Sequence, residues 1–156
     1  MNNTKDEVII KIKSICSRKE LSVFEVKEKL YAMKITELDF DEIIQELKNE
    51  NFINEERFAL AFTNDKYRFN KWGLKKIKYE LKSRRIAEKN INMAFETIDY
   101  NEYSEMIKSE IKKKIKTIKT KDKNELKNKI FNFAQQRGYE TNLISEVLRE
   151  NLNNGN

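Results

Sequence analysis

The 156 residues suffice for one domain with a real core or for a short array of helical units, and 32 basic against 26 acidic side chains leave a net charge of +6. There is no histidine, no proline and one cysteine, Cys16. This composition excludes an intramolecular disulfide and any His-containing triad, and removes the commonest metal ligand and general base. Glu, Lys, Leu and Ile dominate and favour helix, and strand-like alternation is absent. A mean hydropathy of −0.82 raises the question of disorder. Nine Phe, six Tyr and periodic Ile and Leu answer it, because they can bury enough surface to offset chain entropy. The sequence predicts a soluble, all-α protein.

Thr4 and Glu7 form a capping box ahead of Val8, Ile9, Ile12, Ile15 and Cys16, which share one helix face. Cys16 on that stripe reads as a buried, inert thiol. After a break at Arg18 to Leu21, Ser22 and Glu25 form a second box before Val26 and Leu30, and the chain turns near Lys34. Asp39 and Glu42 start a third helix carrying Phe40, Ile43, Ile44 and Leu47. Asn54 caps the next helix, Glu55 and Glu56 suit its positive end, and Ile53 with Phe58 occupy the positions of a hydrophobic staple.

The pattern then recurs. Val26, Leu30, Ile35 and Phe40 are spaced 4, 5 and 5 residues apart, as are Ile77, Leu81, Ile86 and Ile91, and again Ile130, Ala134, Tyr139 and Ile144. A shift from 4 to 5 within a 3.6-residue period requires a break, so each row is two helices joined by a tight turn. Leading helices precede each row at Val8 to Cys16, Phe58 to Phe69 and Tyr103 to Ile115. The expectation is three tandem three-helix repeats, residues 1–53, 54–100 and 101–152, in an elongated, curved array, with a disordered tail at 153–156. Asp122 and Glu125 place the start of the third repeat's middle helix about one turn early.

Charge is unequal among the repeats. Residues 1–55 hold 9 basic and 12 acidic side chains, residues 56–100 hold 11 and 6, and residues 101–156 hold 12 and 8. After Trp72, the residues Leu74, Ile77 and Leu81 share an inner face, while Lys75, Lys78 and Lys82 share an outer one with Tyr79 near it. Arg57, Arg68, Lys71, Arg84 and Arg85 surround this helix, and arginine suits bidentate contacts with phosphate or carboxylate. These eight basic residues are the candidate surface for a polyanion or an acidic protein groove. The basic run Lys108–Lys129 reads as a solvated helix and a lysine-rich loop. Tyr67, Phe69, Trp72 and Tyr79 read as packing residues. Neither a P-loop nor a GxGxxG motif is present, each carboxylate lies in a charged helical pattern, and no apolar run is long enough to cross a membrane. The expectation is a cytoplasmic, monomeric, non-enzymatic protein without metal or cofactor.

Asn54-Glu55-Glu56-Arg57-Phe58-Ala59, followed by Gly73-Leu74-Lys75-Lys76-Ile77-Lys78-Tyr79-Glu80-Leu81 and Arg85-Ile86, resembles the central motif of the RecX regulatory protein family. Ser17-Arg18-Lys19-Glu20 with Glu25-Val26 and Lys29-Leu30 resembles its first repeat, and Gln136-Arg137-Gly138-Tyr139 with Ile144 and Val147-Leu148 its last. The resemblance runs from about Lys5 to Leu152. It implies a bacterial modulator of the RecA recombinase, lying in the groove of the RecA–DNA filament and holding back ATPase and strand exchange in recombination, DNA repair and the SOS response. The partner implied is the RecA filament, with weak DNA contact. Two other readings of the residues stay open: a helical DNA- or RNA-binding module, and a structural adaptor.

One departure concerns turns. The family often has glycine before the positions of Ile35, Ile86 and Tyr139, but only Gly138 is glycine here; Lys34 and Arg85 hold the other two places. Either those turns differ in form, or these residues accept a positive φ at a cost on the order of 1 kcal/mol.

Overall fold

In the computed structural model, which describes residues 4–154, helices begin where the caps fall. Helix α1 (Lys5–Cys16) opens with the expected box: Thr4 Oγ1 accepts from the Glu7 N–H at 3.2 Å, and a Glu7 carboxylate oxygen accepts from the Thr4 N–H at 3.4 Å. At α2 (Val23–Ala32) only half of the box forms. Ser22 Oγ accepts from the Glu25 N–H at 3.1 Å, while the Glu25 carboxylate turns to Arg84 Nε, also at 3.1 Å. The guanidinium adds its own positive charge to the bond that the carboxylate accepts, which a neutral backbone N–H does not. Nor does Asp39 cap α3 (Phe40–Asn49) with its side chain; it ends a single 3₁₀ turn, Glu37–Asp39, that leads into the helix.

Asn54 caps α4 (Glu55–Arg68) by accepting from the Arg57 N–H at 2.9 Å, and Ile53 and Phe58 on either side are both buried. Helices α5 (Leu74–Ser83) and α6 (Glu88–Glu96) follow, then α7 (Tyr100–Thr117), capped by Asp99. Asp122 caps α8 (Lys123–Arg137), whose 15 residues against 10 in α2 and in α5 realise the early start. Helix α9 (Thr141–Asn154) runs two residues into the stretch expected to be a tail, and Gly155 and Asn156 lie outside the described residues. The described residues are all helix and connection, with no strand, and the helices follow one another as three-helix repeats.

Three turns make the repetition physical. Ile35, Ile86 and Tyr139 each donate a backbone N–H to the carbonyl five residues back, on Leu30, Leu81 and Ala134, at 3.1, 3.1 and 3.0 Å. The residue before each is left-handed: Lys34 at φ 60°, Arg85 at 59° and Gly138 at 83°. Lys34 and Arg85 therefore adopt the same turn as glycine, which settles the alternative left by the sequence. Asn51 and Lys71, after α3 and α4, are left-handed as well, at 62° and 59°. Of the twelve positions in the three apolar rows, all are buried except Ile35, which packs partly buried against the first core.

The chain divides into two compact units. The first takes the described residues up to Ala61 together with Leu81–Ala94. Its core includes Val8, Ile12, Leu21, Val26, Leu30, Ile43 and Leu47, all fully buried, with Cys16 partly buried at the margin. Burial pushes the Cys16 thiol up, as expected of an unreactive cysteine. The second takes Phe62–Glu80 and the described residues from Phe95 on. Tyr67, Ile77, Tyr103, Ile107, Ile130 and Tyr139 are buried there, and the Tyr67 and Tyr103 rings meet edge to face at 6.1 Å.

Candidate partner-binding surface

Within the second unit, the start of α5 is docked onto the loop between α8 and α9. Gly73 donates its N–H to the Arg137 carbonyl at 2.7 Å, Lys75 to that of Gly138 at 3.2 Å, and Leu74 to the hydroxyl of Tyr103 at 2.8 Å. That hydroxyl in turn donates to the Glu140 carboxylate at 2.8 Å. Tyr139 donates its own hydroxyl to the Lys71 carbonyl at 2.6 Å. Burial and the Glu140 charge hold the Tyr103 phenol above its usual range, and burial pushes Tyr139 up to about 12. The first N–H groups of α5 are thus already bound, so its positive end does not receive an anion in the way a free helix start does. Positive charge for a partner has to come from side chains.

Those side chains are placed unequally. On α5 the spacing sets Lys75, Lys78 and Lys82 opposite the fully buried Ile77 and Leu81; Lys75 and Lys82 are exposed and Lys78 half-buried. Of the eight candidates, the first unit holds Arg57, Lys82, Arg84 and Arg85, and the second holds Arg68, Lys71, Lys75 and Lys78. Arg57 Nε donates to Glu20 at 2.6 Å and its terminal nitrogen to the carbonyls of Asn51 and Phe52 at 2.9 and 3.3 Å. Arg84 pairs with Glu25 at 3.1 Å. Arg68 pairs with Glu102 at 3.1 Å and lies over the Tyr67 ring. Three of the four arginines expected to face a partner are therefore engaged by carboxylates of their own chain. Arg85 is exposed and, with Lys27, Phe24 and Tyr31, borders a hollow of about 410 Å³ in the first unit. Lys71 is half-buried, its carbonyl held by Tyr139.

The aromatic residues divide in a way the sequence reading missed. Tyr67 is buried and Trp72 half-buried, but Phe69 is 79% exposed and Tyr79 71% exposed, contrary to the expectation of packing. Tyr79 was legible: two residues from both Ile77 and Leu81, it falls on the far side of α5. Phe69 was not, because it continues the spacing of α4 beyond Arg68, where the helix ends. Between these two in the chain is Trp72, with the ammonium groups of Lys66 and Lys76 at 5.0 and 4.4 Å from its ring centre and Phe62 against it edge to face. Among the described residues no cluster of His, Cys, Asp or Glu is placed to hold a metal ion, and no helix is long and apolar enough to cross a membrane.

Fold and surface together define a three-helix-repeat protein whose outer helix faces carry lysine and exposed aromatic rings. Residues 54–94 match the second three-helix domain of RecX and residues 101–148 the third. Regulatory protein RecX of Clostridioides difficile (strain 630) is 30% identical over 152 residues, covering 95% of this chain and 71% of the relative. Regulatory protein RecX of Vibrio campbellii is 29% identical over 134 residues, covering 86% and 84%. A crystal structure of regulatory protein RecX shares the fold with a TM-score of 0.79 at 15% identity, over 91% of this chain and 73% of the other. RecX from Lactobacillus salivarius does so with 0.75 at 20% identity, over 94% and 95%. The chain belongs to the RecX family of regulatory proteins.

Proposed function

We propose that this protein modulates the RecA recombinase by binding, without chemistry of its own. It acts as a cytoplasmic monomer, lies in the groove of the RecA–DNA filament and limits ATP hydrolysis and strand exchange, thereby regulating recombination and repair. Family membership supports the partner. The observation that carries the contact is the outer face of α5, where Lys75 and Lys82 stand exposed within the residues that match the second three-helix domain of RecX. A rigid helix with an apolar inner face and a basic outer face fits an acidic protein groove beside DNA phosphate.

Purified protein added to preformed RecA filaments tests the reading. The expected result is tight filament binding, slower ATP hydrolysis and only weak, salt-sensitive binding to bare duplex. Replacing Lys75, Lys78 and Lys82 together with Glu should weaken filament binding on the order of tenfold or more, with helicity by circular dichroism unchanged. Equal binding to bare duplex with unaltered filament ATPase would favour a nucleic-acid-binding module and end the proposal. Unchanged affinity in the triple variant would remove this face from it.

A further inference from the structure

The connector between α4 and α5, residues 69–73, displays a feature that modulation of a protein filament does not require. Phe69 is 79% exposed at the start of a backbone that is otherwise firmly held. Tyr139 fixes the Lys71 carbonyl, Arg137 receives the Gly73 N–H, and Tyr103 receives that of Leu74. An aromatic ring in water on a pre-organised loop is poised for contact, since little further ordering accompanies binding. Cations occupy the same stretch of chain. Lys66 and Lys76 lie against Trp72, Lys71 is next but one to Phe69, and among the described residues none of the three forms an ion pair with a carboxylate. All of these residues belong to the second unit.

We infer that this connector is a contact site for single-stranded nucleic acid, with Phe69 stacking on a base and Lys66, Lys71 and Lys76 meeting the phosphates. The charge calls for an anionic partner, and the bare ring calls for a flat, unstacked one. A single strand supplies both, because every base has an accessible π-face and every step carries a phosphate. A duplex hides its base faces, and an acidic peptide does not pair a flat ring with a charge at every step. The two half-buried lysines over Trp72 hold their ammonium groups beside the connector in advance, which lowers the cost of ordering them on binding. Phe69, Lys66 and Lys71 lie outside the α5 face invoked for the RecA filament, so this site stands without that reading.

Trp72 is the only tryptophan, so its fluorescence reports on the site directly, with no RecA present. A short oligothymidylate titrated into the full-length protein at low salt should change Trp72 emission saturably, with an affinity that falls steeply as salt rises. It should bind at least about tenfold more tightly than a duplex of equal length. Phe69→Ala should weaken oligothymidylate binding on the order of tenfold while Phe69→Tyr retains it, and the melting temperature of both should match the parent. Lys66→Gln should lower the salt slope by about one contact. Equal affinity for duplex, equal affinity for polyglutamate, or an unaltered affinity in Phe69→Ala would each overturn the inference. Because the measurement omits RecA, its failure leaves the filament reading intact, and failure of the filament assays leaves this one intact.

Discussion

Gly73 and Gly138 meet backbone to backbone. A Cβ built on Gly73 would stand 2.1 Å from the Gly138 oxygen, and one on Gly138 would stand 2.4 Å from the Lys76 nitrogen, distances that no side chain tolerates. Two of the chain's three glycines are thus used where the loop before α5 and the loop before α9 exchange hydrogen bonds. Gly138 has the additional demand of a left-handed backbone. Gly73→Ala and Gly138→Ala should each cost about 3 kcal/mol, through overpacking and lost hydrogen bonds. Thermal melting by circular dichroism measures this, and the double variant should lose less than the two single losses combined, because one contact is broken either way.

The other left-handed turns predict the opposite sign. Lys34 and Arg85 occupy glycine-like caps without glycine, and Lys34 is exposed. Lys34→Gly should stabilise the protein by about 0.5–1 kcal/mol, the relief of the Cβ clash outweighing the greater freedom of the unfolded chain. Arg85→Gly should do the same. Chemical denaturation with the denaturant slope held constant distinguishes this gain from a change in the unfolded state.

Alkaline pH should loosen the second unit. Tyr139 is pushed up to about 12 and Tyr103 is shifted in the same direction, both chiefly by burial. A phenol whose folded pKa lies above its unfolded value contributes stability that is complete below about pH 10 and is lost as pH rises toward the folded value. Unfolding free energy should therefore fall between about pH 10 and 12. Tyr103→Phe should lower stability at neutral pH by about 1–3 kcal/mol, since the Leu74 N–H and the Glu140 carboxylate lose a shared partner. It should also flatten the alkaline decline, which a pH series of denaturation midpoints would reveal.

Arg57 is best understood as a tie between repeats. It bonds Glu20 across 37 residues of chain and closes on two carbonyls after α3. Arg57→Ala should destabilise by about 1–2 kcal/mol, a figure moderated by the partial exposure of both partners. Arg57→Lys should recover little, because an ammonium cannot span the same three acceptors. A double-mutant cycle with Glu20→Gln should give a coupling of about 0.5–1 kcal/mol, while filament binding by the folded fraction stays at the parent level.

The helical character, the caps at Thr4, Asn54 and Asp122, and the three apolar rows were legible because they depend on near neighbours. A capping side chain reaches three residues, and a 3.6-residue period with a break every ten or so records which face is inside. The sequence alone thus determined an all-helical protein of three-helix repeats, the inner face of its apolar rows and its uneven charge. It could not determine where long side chains end. Glu25 bonds Arg84 rather than closing its own box, Arg57 and Arg68 turn to Glu20 and Glu102, and Phe69 is left in water when α4 stops one residue short of it. Whether a cation faces a partner or a carboxylate of its own chain depends on groups that lie 34 to 59 residues away in sequence. Only the packed structure brings such groups within a few ångströms, where a charge-assisted bond outweighs exposure to water.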